Sequence, residues 1–420
     1  MELQLTSKTK QRLIDCITKY YSSFDIRSIG RMLEIDETEY FSPMMPNKVL
    51  ADEFITRVFQ LSKQADMLDI IKNHSTLNRK QIINDLNIVD EVFTNKTDDK
   101  TNIRNIIHLS DIHLGTLEDS QRYRLQLNTD LALALNIEKI DFLVLSGDIS
   151  HRATEEQYNA AVLLVESIIL KFNIDRNKII IVPGNHDVNW DISKKSAISS
   201  SEDSVLFDEE IYKLRFDNFN KYFYKKICKK TYPQIYSKQG LLYEYEKEKI
   251  IILGLNSAWQ IDHINKYRSS IYINSLDDPL DKTMDKNYND WLKIAVFHHP
   301  VKGKESMNDE FLQLLIRHNF KVCMHGHIHE AKYDFCSYGN DKEIAIIGAG
   351  TFGAPDEEHV LGVPLQYNFI NLGVDNKKIR VITRRKENTD GAWEADARWG
   401  NKDKPVAFYD IDISKLHKSK

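Results

Sequence analysis

Long apolar runs are missing from this 420-residue chain. None approaches the ~18 residues a membrane-spanning helix requires, and the opening MELQLTSKTK has no apolar core of a secretory signal. Cysteine is scarce. Cys16, Cys228, Cys323 and Cys336 form no CxxC pair, which speaks against a disulfide framework and for reduced thiols in a cytoplasmic setting. Charge of one sign is not in excess: 57 Lys+Arg against 62 Asp+Glu gives −5, a balance that neither invites nor excludes nucleic acid. With 9 Pro and 16 Gly, collagenous and mucin-like chains are excluded, and no internal repeat or low-complexity segment is present. What remains is a globular composition, 42% hydrophobic and 28% charged, long enough for about three domains of ordinary size.

Residues 94–102, TNKTDDKTN, contain no apolar side chain and read as a linker between regions of different periodicity. Before it, residues 1–93 read as a small all-α bundle. Leu13, Ile17, Tyr20 and Tyr21 share one helix face, Leu50, Phe54, Val58 and Leu61 another, and Ile82, Ile83 and Leu86 suggest a third short helix. After it, residues 103–420 alternate between strands and helices. Short β-branched runs at 106–109, 142–145, 179–182, 250–253, 294–297 and 322–324 each precede a polar loop, the pattern of an α/β sheet. Thr154 and Gln157 have capping-box spacing ahead of Tyr158, Val162, Val165, Ile169 and Phe172. A helical insertion is expected at about 191–248, and a β-rich part from about 343.

Six of the 14 histidines lie in or beside loops that follow an expected strand: His113, His186, His298, His299, His327 and His329. The same loops carry Asp111, Asp148, Asn185 and Asp187. Each short motif is weak alone, since a Gly-Asp pair is usually a turn. Together, in order and each at a strand's carboxyl end, they converge on one crevice of an open sheet. Seven oxygen and imidazole donors there would suit two transition-metal ions ~3.5–4 Å apart. Mixed carboxylate and imidazole ligation suits Mn, Fe, Zn or Ni, with Mn2+ first. Asp148, whose loop lies between the others in sequence, is the natural bridge.

This series, D-x-H, G-D, G-N-H-D, H and G-H-x-H, resembles the calcineurin-like metallophosphoesterase superfamily over roughly residues 104 to 385. The resemblance implies an αββα sandwich of two mixed sheets. It assigns Asp111, His113, Asp148 and His329 to one ion, and Asp148, Asn185, His298 and His327 to the other. It makes His186 the catalytic group that protonates the leaving oxygen, with Asp187 orienting it. His299 and His325 read as supporting residues. His151 and Arg152 are candidates for the substrate phosphate and equally a solvated helix entry, and Lys302 and Lys304 are further candidates in a lysine-rich loop. The run Lys221 to Lys230 fits a phosphate-binding stripe less well than a solvated helix face.

These readings lead to a dinuclear metal-dependent phosphodiesterase or nuclease acting on nucleic acid or a nucleotide. Phosphomonoester hydrolysis and a non-catalytic scaffold are the alternatives. The N-terminal helices weakly resemble effector-associated, death-like adaptor domains of bacterial conflict systems, through Leu13, Phe24, Ile29, Met32, Leu33, Leu50, Ile55, Met67 and Leu68. That resemblance implies a protein partner or self-association through residues 1–93 and a place in antiviral defence. A structural helical cap is the competing reading.

Overall fold

Two compact units, Met1–Asn102 and Ile103–Lys420, make up the computed structural model of the chain. Described are residues 7–61, 63, 67 and 70 of the first unit. In the second, residues 103–416 are described except 202–203, 285, 304, 329, 338–341, 354–361 and 402–403.

The first unit contains helices α1 (Ser7–Tyr20), α2 (Ser23–Met32) and α3 (Asn47–Gln60). A capping box starts α2: the Ser22 hydroxyl accepts from the Asp25 N–H, and the Asp25 carboxylate accepts from the Ser22 N–H. Leu13, Ile17 and Tyr21 pack against Ile26, Ile29, Leu50, Phe54 and Val58 in a core of their own. Of the side chains behind the adaptor resemblance, Phe24 and Met32 point outward, 67% and 54% exposed. Their helical spacing misleads because α2 turns its other face, Ile26 and Ile29, to the core. The helix expected around Ile82–Leu86, Leu68 and the 94–102 linker lie outside the described residues.

In the second unit, strands β1 (Ile103–Leu109), β2 (Phe142–Leu145) and β3 (Ile179–Ile181) run parallel. A surface hairpin, β4 (Ala197–Ser201) with β5 (Ser204–Phe207), follows. Next come β6 (Gly240–Tyr245), β7 (Ile250–Leu255), β8 (Leu292–Val296), β9 (Phe320–His325), β10 (Lys332–Ser337) and β11 (Glu343–Gly348). The chain closes with β12 (Leu365–Gly373), β13 (Lys378–Lys386), β14 (Glu394–Ala395), the short pair β15 (Trp399–Asn401) and β16 (Lys404–Val406), and β17 (Phe408–Asp412). One sheet has the order β14-β13-β12-β1-β2-β3, with β17 also on β13; the other is β10-β11-β9-β8-β7-β6. Both are mixed, with β12 antiparallel to β1 and with β6 and β10 as antiparallel edges.

Strand alternation sorts the layers. Phe142, Val144 and Ile180 face Ile250, Ile252, Ile294 and Val322 across the space between the sheets. Leu143, Leu145 and Ile181 point the other way, onto α4 (Leu117–Thr129) and α5 (Glu155–Lys171). On the far side, Ala295, Phe297 and Cys323 pack beneath Leu280, Phe311 and Leu315 of helices 277–283 and 310–317. This is the αββα sandwich the sequence predicts. Thr154 caps α5 through the Gln157 N–H, but the Gln157 side chain accepts from the Arg152 N–H, so the reciprocal half of the box goes to the entering loop.

The stretch 191–248 is less helical than its composition suggests. It opens with α6 (Trp190–Lys195) and the β4–β5 hairpin, becomes helical over 209–228, and ends in an edge strand, β6. In the lysine run Phe223, Tyr224, Ile227 and Cys228 are buried while the lysines are exposed, as a solvated helix face requires. Among the described residues no helix is long and apolar enough to cross a membrane.

Candidate metal centre

Five loops meet where the carboxyl ends of β1, β2, β3, β8 and β9 approach one another. The turns after β1 and β2 are stitched together: the Asp111 N–H donates to the Gly147 carbonyl (3.1 Å), and the His113 N–H to the Asp148 carbonyl (3.0 Å). The two sheets are joined directly at the site. His298 Nδ1 donates to the Ser146 carbonyl (2.7 Å), and the His327 N–H donates to Asp111 Oδ2 (2.9 Å). Asp111, His113, Asp148 and His327 all hold left-handed backbone, with φ of 50°, 46°, 52° and 64°. Such φ values cost energy in residues with a Cβ and persist where surrounding contacts over-determine them. Gly184 has a different constraint: a Cβ there would lie 2.1 Å from Asp148 Oδ1.

Asp148 sits at the centre, 1% exposed. Its Oδ1 accepts from the His186 N–H (2.8 Å). Its Oδ2 lies 3.1 Å from His298 Nε2 and 4.0 Å from His113 Nε2, between imidazoles contributed by the two sheets. His298 Nε2 also meets Asn185 Oδ1 at 3.1 Å. Asp111, Asp148, His298 and His327 each offer a donor atom, all within 4.8 Å of one another. Burial raises the Asp148 carboxyl, but His298, His186 and His113 more than offset this and hold it well below the usual carboxylate range. Burial pulls the His298 imidazole down, yet Asp148 and Asp111 outweigh it and keep it at about 9. The donors are oxygen and imidazole nitrogen with no thiolate, concentrated around buried carboxylates, so the residues fit divalent transition ions.

Six of the seven expected ligands, Asp111, His113, Asp148, Asn185, His298 and His327, belong to these converging loops; His329 lies outside the described residues, as does Lys304. His186 stands beside the cluster, its ring 4.6 Å from that of His113. Its Nδ1 donates to the His151 carbonyl (2.9 Å), and the His151 ring stacks on it at 5.6 Å. The orienting role expected of Asp187 needs correction. Its fully buried carboxylate accepts from the Gly184, Ile149 and Ser150 N–H groups and from the Tyr158 hydroxyl (3.0 Å). It ties the β2 and β3 loops together, while His186 is oriented by a backbone carbonyl. The Lys302 ammonium pairs with Asp334 (2.9 Å) and the Phe335 carbonyl, in a cavity that His327 also lines. Arg152 is exposed at the mouth of a cavity lined by His186.

His299 is fixed by Ser257 Oγ (2.8 Å), with its ring 4.6 Å from that of His327. His325 donates from Nδ1 to the Gly326 carbonyl and stacks on Phe297. Sequence reasoning missed His108, which shares a hydrogen bond with Ser146 Oγ (2.8 Å) directly behind the His298 anchor. It also missed Ser257, Tyr158 and Glu305, whose carboxylate is 3.2 Å from His327 Nε2. Tyr158 falls on the apolar stripe of α5 and reads there as core; Ser257 and Glu305 carry no pattern at all.

The profile of the calcineurin-like phosphoesterase family matches residues 104–331. The chain belongs to that family. Among curated relatives, the calcineurin-like phosphoesterase described here is similar to the uncharacterized metallophosphoesterase-like protein YydB of Bacillus subtilis. The two are 25% identical over 223 residues, 50% of this chain and 45% of YydB. It is also similar to the uncharacterized protein R555 of Acanthamoeba polyphaga mimivirus, 27% identical over 262 residues, 60% of this chain and 16% of R555. The chain thus spans less than half the length of either. Among solved structures, purple acid phosphatase PPD1 of yellow lupin aligns with a TM-score of 0.44 at 11% identity, covering 74% of this chain and 54% of that one. The vacuolar protein sorting 29 protein of Cryptosporidium parvum aligns at 0.32 and 12% identity, covering 74% and 99%.

Proposed function

We propose that this phosphoesterase hydrolyses phosphodiesters of nucleotides or nucleic acid at a dinuclear site. The observation that supports it most is Asp148, whose Oδ2 lies between imidazoles from opposite sheets. Asp111, His113 and Asp148, with His329, would hold one ion; Asp148, Asn185, His298 and His327 would hold the other. When bound, such ions supply Lewis acidity to the phosphoryl oxygens and acidify water. The protein's own part is orientation and proton transfer. The Ser146 carbonyl aims His298, and the His186 N–H fixes Asp148. With its Nδ1–H held on the His151 carbonyl, the His186 ring delivers a proton from Nε2 to the departing oxygen. The cavity of about 510 Å³ beside His186 leaves space for a bulky substituent on the departing oxygen.

The test is turnover by the full chain loaded with Mn2+, comparing bis-p-nitrophenyl phosphate with p-nitrophenyl phosphate. Diester hydrolysis abolished by a chelator is expected. Cleavage of the monoester alone would move the reading to a phosphomonoesterase, and no turnover with Mn, Fe, Zn or Ni would leave only a scaffold.

The helical unit is read as a module that brings the enzyme to a protein partner, in a defence-type effector. Its separate core supports treating it as a module in its own right.

A further inference from the structure

The cavity next to His186 extends from the metal centre onto residues outside the expected ligands. His151, Arg152, His186, Val188, Trp190 and Lys194 line it, and its volume is about 510 Å³. Trp190 opens α6 and is held from behind. The Asn189 side chain accepts from the Asp191 and Ile192 N–H groups, and the Asn189 N–H donates to the Arg215 carbonyl (2.9 Å). The indole packs against a cluster of Val188, Phe216, Ala258 and Ile261, and Lys266 Nζ lies over the ring, 4.8 Å from its centroid, on an exposed side chain that an incoming base would displace. It is half-buried, so part of a fixed aromatic surface remains open to the cavity. Lys194 lies 3.8 Å from Asp191, and its charge is partly compensated. Arg152 adds an exposed cation to the same cavity.

The position of this cavity decides what it can hold. His186 forms one wall, and in the reading above His186 protonates the leaving oxygen. Whatever occupies the cavity is therefore attached to that oxygen. A fixed indole with cations beside it is the recognition chemistry of a nucleobase and its neighbouring phosphate. We propose that Trp190 forms a nucleobase subsite for the leaving group, so that the enzyme's substrates are nucleotides or nucleic-acid strands whose departing nucleoside stacks on this ring. The proposal rests on the phosphodiester reading only for the words "leaving group"; the base-binding surface itself does not depend on turnover.

The experiment measures binding to the Mn2+-loaded full chain by titration calorimetry. The probes are the phosphonate analogues of adenosine 5′-monophosphate and of ribose 5-phosphate, in which carbon replaces the bridging oxygen and no hydrolysis intervenes. They differ only in the base. The adenosine compound is expected to bind roughly tenfold tighter or more, the size of one base-stacking contact. Trp190→Ala should bring the two affinities together, while Trp190→Phe should keep most of the preference. Equal affinities in the unmodified protein, or a preference that survives Trp190→Ala, overturn the subsite. Should Trp190→Ala not fold, quenching of the protein's tryptophan emission by the adenosine compound, but not by the sugar compound, takes its place. No quenching, or quenching unchanged in Trp190→Phe, overturns the proposal. A base preference together with cleavage of monoesters alone would refute the phosphodiester reading and leave the subsite standing.

Discussion

Replacing Gly184 by alanine tests whether the centre depends on close packing around Asp148. The added Cβ would lie 2.1 Å from Asp148 Oδ1, 2.6 Å from its backbone nitrogen and 2.8 Å from its Cγ, where ordinary contact begins at 3.4 Å. None of these atoms is the free end of a flexible chain. The carboxylate is pinned by the His186 N–H and faces His298, and the Asp148 backbone is already left-handed. The carboxylate or the β3 loop must therefore move by more than an ångström. Overpacking of this kind typically costs about 1–3 kcal/mol of stability, which a domain of this size survives. Displacing a group in the reacting geometry by ~1 Å costs on the order of 10²-fold in rate. Gly184→Ala should therefore stay folded, bind metal more weakly and lose about two orders of magnitude in Mn2+-supported turnover. Elemental analysis after dialysis, a melting curve and diester turnover decide it. Two full metal equivalents with near-normal turnover would refute the central role given to Asp148.

His186→Ala keeps the backbone N–H that holds Asp148, so metal content should be unchanged while turnover of substrates with poor leaving groups drops ~10²–10⁴-fold. With p-nitrophenolate leaving, the loss should be smaller, and equal losses would remove His186 as the acid. Metal binding should release a proton at pH 7, because the Asp148 and Asp111 carboxylates keep His298 protonated up to about 9 and a ligand must be neutral. Apparent affinity then tightens by about tenfold per pH unit up to that value, and calorimetry in buffers of different ionisation enthalpy that finds no released proton would contradict this. Residues 103–420, a compact unit in themselves, should retain metal-dependent turnover when expressed alone; an insoluble or inactive fragment would favour the structural-cap reading of the helices.

The site was legible in the sequence where chemistry is written locally. Asp111 and His113, or Asn185 and His186, lie within three residues of each other, and strand-loop alternation already places them at carboxyl ends. The six expected strand positions coincide with β1, β2, β3, β7, β8 and β9 for the same reason, since alternation is a property of neighbours. The adaptor reading was less secure because helical spacing marks a face without saying which face turns inward, and Phe24 and Met32 lie outside.

What the sequence determined by itself is thus the inventory: which donors exist, in which loops, and on what kind of scaffold. Only the tertiary structure decided who touches whom. Ser146 and His298 are 152 positions apart, and Asp111 and His327 are 216 apart, yet they form the hydrogen bonds that join the two sheets. The resemblance made Asp187 the orienter of His186, but adjacent side chains on a tight turn diverge, and its carboxylate found three backbone N–H groups and Tyr158 instead. Lys302 pairs with Asp334, a contact that nothing in its lysine-rich loop announces. Trp190 carried no signal as a letter in a loop; it gains meaning because 216, 258 and 261 pack behind it and leave part of the ring open beside His186. A side chain's type is set by one codon, whereas its partner is set by the closure of distant segments, and that closure is what the fold adds.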